Sequence, residues 1–185
     1  MRTHVALLRG INVGGHNKVA MADLREVVTS LGYTDVVTYI QSGNVVFSSS
    51  ETDAARLADE LERTIAERLG VRPGVVVLSR EQLRQVIADN PFPDETSSRL
   101  LHAVFRSQEM DAEGMAAVAQ AQQRASEKGS RDRATVVGQA LFLHTPDGMG
   151  RSELAAQLAR SGAAASAGTA RNWATVTKLM ALLDD

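Results

Sequence analysis

The order of apolar segments in the first 78 residues constrains the fold more than any other feature of the chain. Val5 to Leu8 is a continuous apolar run that predicts a strand, and apolar residues then recur at helical spacing until Gly32. Asp35 to Gln41 and Asn44 to Ser48 are rich in β-branched and aromatic residues and predict two further strands. Ser42-Gly43 between them predicts a two-residue hairpin loop.

A second helix and a fourth strand complete this half of the chain. Ser50 stands three residues before Asp53 in a capping arrangement, and apolar residues follow on one helical stripe up to Gly70. Val75 to Leu78 is β-branched and apolar, and it predicts the closing strand. The sequence therefore predicts an α+β fold whose first half has the ferredoxin-like order βαββαβ.

The second half repeats much of this order. Ser79 and Gln82 form a capping-box pattern before a short helix, which must end near Asn90 because the prolines of the NPFP segment follow it. The segments beyond the linker predict a second βαββ series, with strands over 100–106, 134–137 and 140–144 and an alanine-rich helix over 111–128. The similarity between the halves is one of architecture, because their residues do not repeat.

Two helices are predicted to end the chain. One begins near Ser152, and the other begins near Ala170 with Thr169 as its N-cap, after a stretch rich in glycine, alanine and serine over 161–168. The second half is thus a related α+β unit ending in two helices. We place the domain bounds at 1–79 for the ferredoxin-like subdomain, 80–99 for the helix and NPFP linker, and 100–185 for the second subdomain.

Composition narrows the classes of function. The 185 residues include 20 basic and 22 acidic side chains, so a formal charge of −2 creates no global attraction to nucleic acid or anionic lipid. The absence of cysteine excludes disulfides and thiolate sites, and the four histidines lack metal-binding spacing, so we assign no metal and no cofactor. No apolar stretch is long enough to span a membrane, and we expect a cytoplasmic protein without a membrane partner.

The stretch LLRGINVGGHNKV, residues 7–19, provides the first candidate binding site. It offers the side chains of Arg9, Asn12 and Lys18, and Gly14 and Gly15 could leave backbone N–H groups free to bind an anion. It lacks the Lys-Ser/Thr that completes a P-loop, and its glycines do not have the GxGxxG spacing. The alternative is that the glycines and amides only allow a sharp exit from a central strand.

The turn QSGN, residues 41–44, is expected to meet this loop. The first two strands of a ferredoxin-like unit run parallel, so the end of the first strand and the turn after the second lie at the same edge of the sheet. Ser42 and Asn44 are therefore added to the candidate ligand contacts. The alternative is that they only shape the hairpin, since no neighbouring histidine could activate Ser42 as a nucleophile.

The loop PDGMGRS, residues 146–152, is the second candidate site. At a helix start, the N–H of Gly150, the guanidinium of Arg151 and the hydroxyl of Ser152 could together bind an anion. The alternative is that Ser152 only caps the helix, while Glu153 stabilises the helix start and repels phosphate. Two further candidates for polar ligand contacts, near the start of the last helix, are Arg171 and Asn172.

Five motifs follow one another along the chain: RGINVGGHNKV, YIQSGNVVF, NPF, HTPDGMGRSEL and TARNWATVTKL. In these motifs and their spacing the chain resembles the bacterial family catalogued as domain of unknown function 1697. The resemblance covers nearly the whole chain and implies a two-part α+β fold in the bacterial cytoplasm, but no established reaction. Two positions depart from the family pattern, Glu153 where a lysine is usual and Ala174 where an asparagine is usual.

The residues favour a binding protein or enzyme for a small anionic ligand, phosphate-bearing and nucleotide-like, held in a cleft between the halves by Arg9, Lys18, Arg151 and Arg171. Whether the chain is an enzyme is left open, and no catalytic residue is named. One alternative is a protein-interaction or homo-oligomerising module without a small ligand. Another is a single-stranded RNA binder, which the negative net charge disfavours, as does Phe47 being the only aromatic on the first and third strands.

Overall fold

The structure is a computed structural model that describes residues 1–161 and 168–185. Most of the glycine- and alanine-rich connection predicted over 161–168 lies outside the described residues. By packing, the chain divides into two compact units, one formed by 1–85 with 177–185 and the other by 86–176. The bounds drawn from the sequence, 1–79, 80–99 and 100–185, stay a prediction.

The first unit is an antiparallel sheet with helices on one face. Its strands have the order β2-β3-β1-β4, which is the ferredoxin-like topology predicted from the sequence. The elements are β1 (His4–Arg9), α1 (Met21–Ser30), β2 (Thr34–Tyr39), β3 (Asn44–Ser48), α2 (Ala54–Leu69), β4 (Gly74–Ser79) and α3 (Arg80–Ala88), which continues into the second unit.

The core of the first unit lies between the sheet and the helices α1 and α2. The apolar stripe predicted for α2 is buried at Leu57, Leu61 and Ile65, against residues such as Leu8 of β1 and Phe47 of β3. The N-cap of α2 is Asp53, whose carboxylate accepts from the N–H groups of the first turn, and not a residue at Ser50 as the capping pattern suggested. Burial of these side chains fixes the sheet against its helices.

The second unit has the same connectivity. Its strands have the order β6-β7-β5-β8, again antiparallel, with α4 and α5 packed on one face. The elements are β5 (Leu101–Phe105), α4 (Ala112–Glu127), β6 (Arg133–Val137), β7 (Ala140–His144), a 3₁₀ turn (Met149–Arg151), α5 (Glu153–Arg160), β8 (Thr169–Asn172) and α6 (Trp173–Asp184), whose last residues belong to the first unit. The α+β fold in two similar halves is therefore confirmed.

The strand β8 corrects the sequence interpretation at one point. Thr169 was predicted to cap a helix starting near Ala170, but Thr169–Asn172 pairs with β5 and the helix begins at Trp173. The true cap is Asn172, whose Oδ1 accepts from the N–H of Thr175 at 2.8 Å. A four-residue segment has too little alternation to indicate a strand, and here pairing with β5 decides its conformation.

The hairpin between β2 and β3 is also longer than predicted. Tyr39 pairs with Asn44, so the loop contains the four residues 40–43 and not Ser42-Gly43 alone. The capping box at the start of α3 is confirmed, because Ser79 and Gln82 exchange backbone-to-side-chain hydrogen bonds of 2.8 and 3.1 Å. Within the described residues, no helix combines the length and the apolar character needed to cross a bilayer.

Candidate functional site

The opening loop between β1 and α1 folds as a miniature hairpin. The N–H of Asn12 donates to the carbonyl of Asn17, and the N–H of His16 donates to the carbonyl of Val13, both at 3.0 Å. Gly14 and Gly15 at the tip have φ values of 57° and 80°, as a type I′ turn requires. In the described part of the chain, their N–H groups donate no hydrogen bond.

Two asparagines hold this loop in shape. The amide nitrogen of Asn12 donates to the carbonyls of Val19 and Gln41 at 2.9 Å, and its oxygen accepts from the N–H of Val19 at 2.9 Å. The amide of Asn17 donates to the carbonyl of Gly10 at 2.8 Å. Both asparagines have left-handed backbones, which this residue type tolerates. Asn12 was a candidate ligand contact, but its amide is committed to closing the loop.

The opening loop meets the 40–43 turn, as predicted from the topology. Besides the bond from Asn12 to Gln41, the N–H of Leu8 donates to the carbonyl of Gly43 at 2.8 Å. Gly43 is buried against the loop, since a Cβ built on it would lie 2.7 Å from Cδ1 of Ile11. The two segments therefore form one rigid surface at the end of the first sheet where β1 ends.

The polar residues of the 40–43 turn serve mainly to close it. Asn44 is fully buried, and its amide donates to the carbonyl of Tyr39 at 2.9 Å and to the hydroxyl of Ser42 at 3.0 Å. Ser42 itself is exposed beside the opening loop. The hairpin interpretation thus accounts for both residues, and their role as ligand contacts stays a prediction.

Three cationic residues come from chain segments that lie at this end of the sheet. Arg9 and Lys18 are exposed, and the pairing of Arg9 with Gly74 places the loop before β4, with exposed Arg72, at the same end. In residues 1–161 and 168–185, none of the three cationic side chains forms an ion pair or a hydrogen bond. We call Arg9, Lys18 and Arg72 the cationic end.

The sequence interpretation missed Arg72. It lies in the segment VRPG, which has no motif of its own, and 63 positions from Arg9 (72 − 9). Only the pairing of β4 with β1 brings the two arginines to one end. The ferredoxin-like strand order, once inferred, could have indicated this, since it places the fourth strand beside the first.

The helix start at the GMGRS loop is occupied by a carboxylate of the chain itself. Asp132 is only 5% exposed, and its Oδ2 accepts from the hydroxyl of Ser152 at 2.9 Å and from the N–H of Leu154 at 3.3 Å. Ser152 is the N-cap of α5, since its Oγ accepts from the N–H of Ala155 at 2.9 Å. An incoming anion at Ser152 would meet the negative charge of Asp132.

The neighbours of Ser152 differ in whether their polar groups already have partners in the described residues. Gly150 and Arg151 are exposed, and the described residues offer Arg151 no ion pair. Glu153 accepts from Lys128 at 2.5 Å and from Gln157 at 2.6 Å, and these hydrogen bonds lower the pKa of its carboxyl. The departure from the family pattern at Glu153 therefore places a paired carboxylate beside the loop.

Arg171 is a buried side chain of β8. It is 7% exposed, and its Nη1 donates to the Thr169 hydroxyl and to the Ala170 carbonyl at 2.8 Å. Burial lowers the pKa of its guanidinium to about 10, which leaves it charged at neutral pH. With Asn172 serving as a helix cap, both residues have structural roles, and the cleft between the halves stays a prediction.

A groove of about 730 Å³ in the second unit is lined by none of the predicted site residues, although it is lined by Asp132, the partner of Ser152. Its lining includes Phe92, Gln122 and Arg131, and the amide of Gln122 already bonds the carbonyl of Asp132 and the N–H of Ala134 at 2.8 Å. Arg131 is paired with Asp147. No group of three or more metal-binding side chains occurs in the part of the chain that the structure describes.

By its fold the chain is an α+β protein made of two similar ferredoxin-like units, and the opening loop of the first unit, held by two asparagines, lies at the cationic end. The chain belongs to the family described as protein of unknown function DUF1697, whose model matches residues 1–142. The motifs HTPDGMGRSEL and TARNWATVTKL both lie beyond that range.

A solved structure, the conserved bacterial protein SP0830 from Streptococcus pneumoniae, is similar over almost the entire chain. The identity is 25%, the TM-score is 0.75, and the match covers 98% of each chain. No curated protein sequence matches this chain. The comparisons therefore support the family and the fold, and the chemistry must be argued from the residues.

Proposed function

We propose that the chain binds a small phosphate-bearing, nucleotide-like ligand at the cationic end of its first unit. The observation that supports this best is the grouping of Arg9, Lys18 and Arg72, which come from two different loops and a strand end and lack ion pairs within the described residues. Two guanidinium groups and an ammonium offer the donors and the charge that phosphate oxygens require.

The position of the three cations, and not their lack of ion pairs by itself, makes this grouping informative. Arg56 pairs with Glu51 and Arg131 with Asp147, but other exposed arginines of the described residues, such as Arg25 and Arg63, also form no ion pair. The nearest helix turns do carry Asp23 and Glu67, but neither forms an ion pair with the cationic end in the described structure. Uncompensated like charges repel one another, and an anionic ligand would remove that repulsion.

The backbone of the opening loop favours the same ligand. The N–H groups of Gly14 and Gly15 donate no hydrogen bond in the described residues, and successive backbone N–H groups in a turn form concave arrangements that bind anions. Because Asn12 and Asn17 already fix the loop, binding would not require it to become ordered. A preformed loop loses little entropy on binding.

A thermal-shift panel of inorganic phosphate, pyrophosphate, sugar phosphates and nucleotides tests the proposal. A ligand at about a hundred times its dissociation constant should stabilise the native state by about 2.7 kcal/mol. The double variant Arg9→Ala/Lys18→Ala should lose that shift. The double variant Arg124→Ala/Lys178→Ala is the matched control, since it removes the same charge from exposed positions elsewhere. Flat melting curves across the panel, or equal loss in both double variants, would refute the proposal.

Two alternatives predict different results. A homo-oligomerising module would pair through an exposed sheet edge such as β2 or β6, and light scattering over a range of concentrations would show a rising mass. An RNA binder of the recognition-module type stacks bases on exposed aromatics of the sheet, but Phe47 is fully buried beneath the helices. The geometry therefore favours the small ligand over RNA.

A further inference from the structure

Ile40, in the turn between β2 and β3, has an unfavourable backbone conformation. Its φ of 47° lies in the left-handed region, where a β-branched side chain is a true outlier. The other non-glycine residues with positive φ in the described structure are Asn12, Asn17 and Asp35, which are types that adopt this conformation readily. An asparagine or a glycine at position 40 would suit the turn better.

Core packing does not explain the isoleucine. Its side chain is 47% exposed and does not belong to the buried cluster beneath the sheet. Neither the local conformation nor burial therefore favours this residue at this place. Backbone strain that persists without a packing benefit is found preferentially at functional sites.

The position of Ile40 suggests which function it serves. The next residue, Gln41, accepts the hydrogen bond from Asn12, and the residue after Asn12 is Val13, which is 66% exposed. Large apolar side chains that are strongly exposed in the described structure are few, namely Met1, Val13, Ile40 and Met115. Two of them thus lie on the two segments that Asn12 ties together, and one of these segments is the opening loop that follows Arg9 and contains Lys18.

We propose that Ile40 and Val13 contact the flat ring of the ligand, while its phosphate lies at the cationic end. The ligand class is then a phosphate ester of a planar ring compound, as in a nucleotide, and not inorganic phosphate or a simple sugar phosphate. Aliphatic side chains cover the face of such a ring by dispersion and by removing apolar surface from water. This inference rests on the proposed function and makes Ile40 a specificity-determining residue.

The variant Ile40→Asn separates specificity from phosphate binding. Titration calorimetry with pyrophosphate, ribose 5-phosphate and adenosine diphosphate should give a nucleotide affinity that falls about tenfold, because the apolar contact is lost. Affinity for pyrophosphate should stay within about twofold of wild type. The same substitution should raise the melting temperature by roughly 2–4 °C, because it relieves backbone strain in a chain of this size.

The control variant and the three ligands distinguish a failure of this inference from a failure of the proposed function. Ile40→Val keeps a branched apolar side chain and should bind the nucleotide like the wild type. If pyrophosphate binds the wild type but the ring adds no affinity, the inference falls and only the phosphate binding of the proposed function stands. If no phosphate compound binds, both fall. Equal loss of pyrophosphate and nucleotide in Ile40→Asn would show that Ile40 only shapes the loop, which overturns the inference. An unchanged or lower melting temperature in Ile40→Asn would refute the strain argument.

Discussion

Replacing Gly43 by alanine tests whether the 40–43 turn and the opening loop form one rigid surface. Gly43 has a φ of 80°, and a Cβ there would lie 2.7 Å from Cδ1 of Ile11 and 2.8 Å from Cβ of Leu8. The isoleucine methyl can rotate away, but the Cβ of Leu8 is fixed to a central strand. The backbone must therefore shift or the hydrogen bond from Leu8 to Gly43 must lengthen.

The expected loss of stability has two parts. Left-handed backbone strain for a residue with a Cβ costs about 1–2 kcal/mol. Overpacking against a closely packed neighbour adds about 1–3 kcal/mol. Gly43→Ala should therefore lower the free energy of unfolding by roughly 2–5 kcal/mol, measured by urea denaturation monitored by circular dichroism.

Gly15→Ala is the matched control for this measurement. Gly15 has the same φ of 80°, but a Cβ there would meet nothing within 4 Å. The free energy of unfolding of Gly15→Ala should therefore fall only by the contribution of backbone strain, about 1–2 kcal/mol. If Gly43→Ala and Gly15→Ala destabilise the chain equally, then Gly43 is not pressed against the opening loop, and the single rigid surface argued above does not exist.

Two further predictions concern buried polar groups. Asp132→Ala leaves the Ser152 hydroxyl and the Leu154 N–H without their acceptor, so the free energy of unfolding measured in urea should fall by about 2–4 kcal/mol. The control Asp147→Ala removes only an exposed ion pair and should change the free energy of unfolding by less than about 1 kcal/mol. Equal effects of the two substitutions would contradict the buried cap. Burial lowers the pKa of His4 below its ordinary 6.5, so the unfolded chain binds a proton that the folded chain does not, and stability should fall as pH drops below 6.5. In His4→Phe, denaturation across pH 7.5 to 5 should show a shallower fall; an unchanged slope would count against a buried neutral histidine.

The order of elements could be predicted because it depends on local periodicity. Strands such as Val5 to Leu8 and the helix ending at Gly70 carry their apolar pattern in consecutive residues, and turn residues separate them. The strand Thr169–Asn172 could not be predicted in this way. It is short, and its conformation depends on pairing with a strand far away in the sequence.

The candidate site was less predictable than the fold. Arg9 and Lys18 could be found because they stand in one glycine-rich loop, and the parallel strands brought the QSGN turn to them. Arg72 required the register of β4 against β1. Asp132 could not have been foreseen as the partner of Ser152, because this contact joins the residue before β6 to the start of α5 and leaves no local pattern.

The second unit shows that the fold alone does not supply the cationic end. The loop that corresponds to the opening loop connects β5 to α4 over residues 106–111, whereas the opening loop runs over 10–20 and has room for its own hairpin. The shorter loop carries Glu109 and Asp111 besides Arg106, and Asp111 caps α4 by accepting from the N–H of Gly114 at 2.8 Å. A carboxylate thus stands at the helix start in one unit, while the other presents glycines, Arg9 and Lys18. Since both units have the same strand order, the difference in charge must come from loop length and loop residues. A ligand attracted by the fold as such would bind both units, whereas one attracted by the opening loop should bind with a stoichiometry of one per chain.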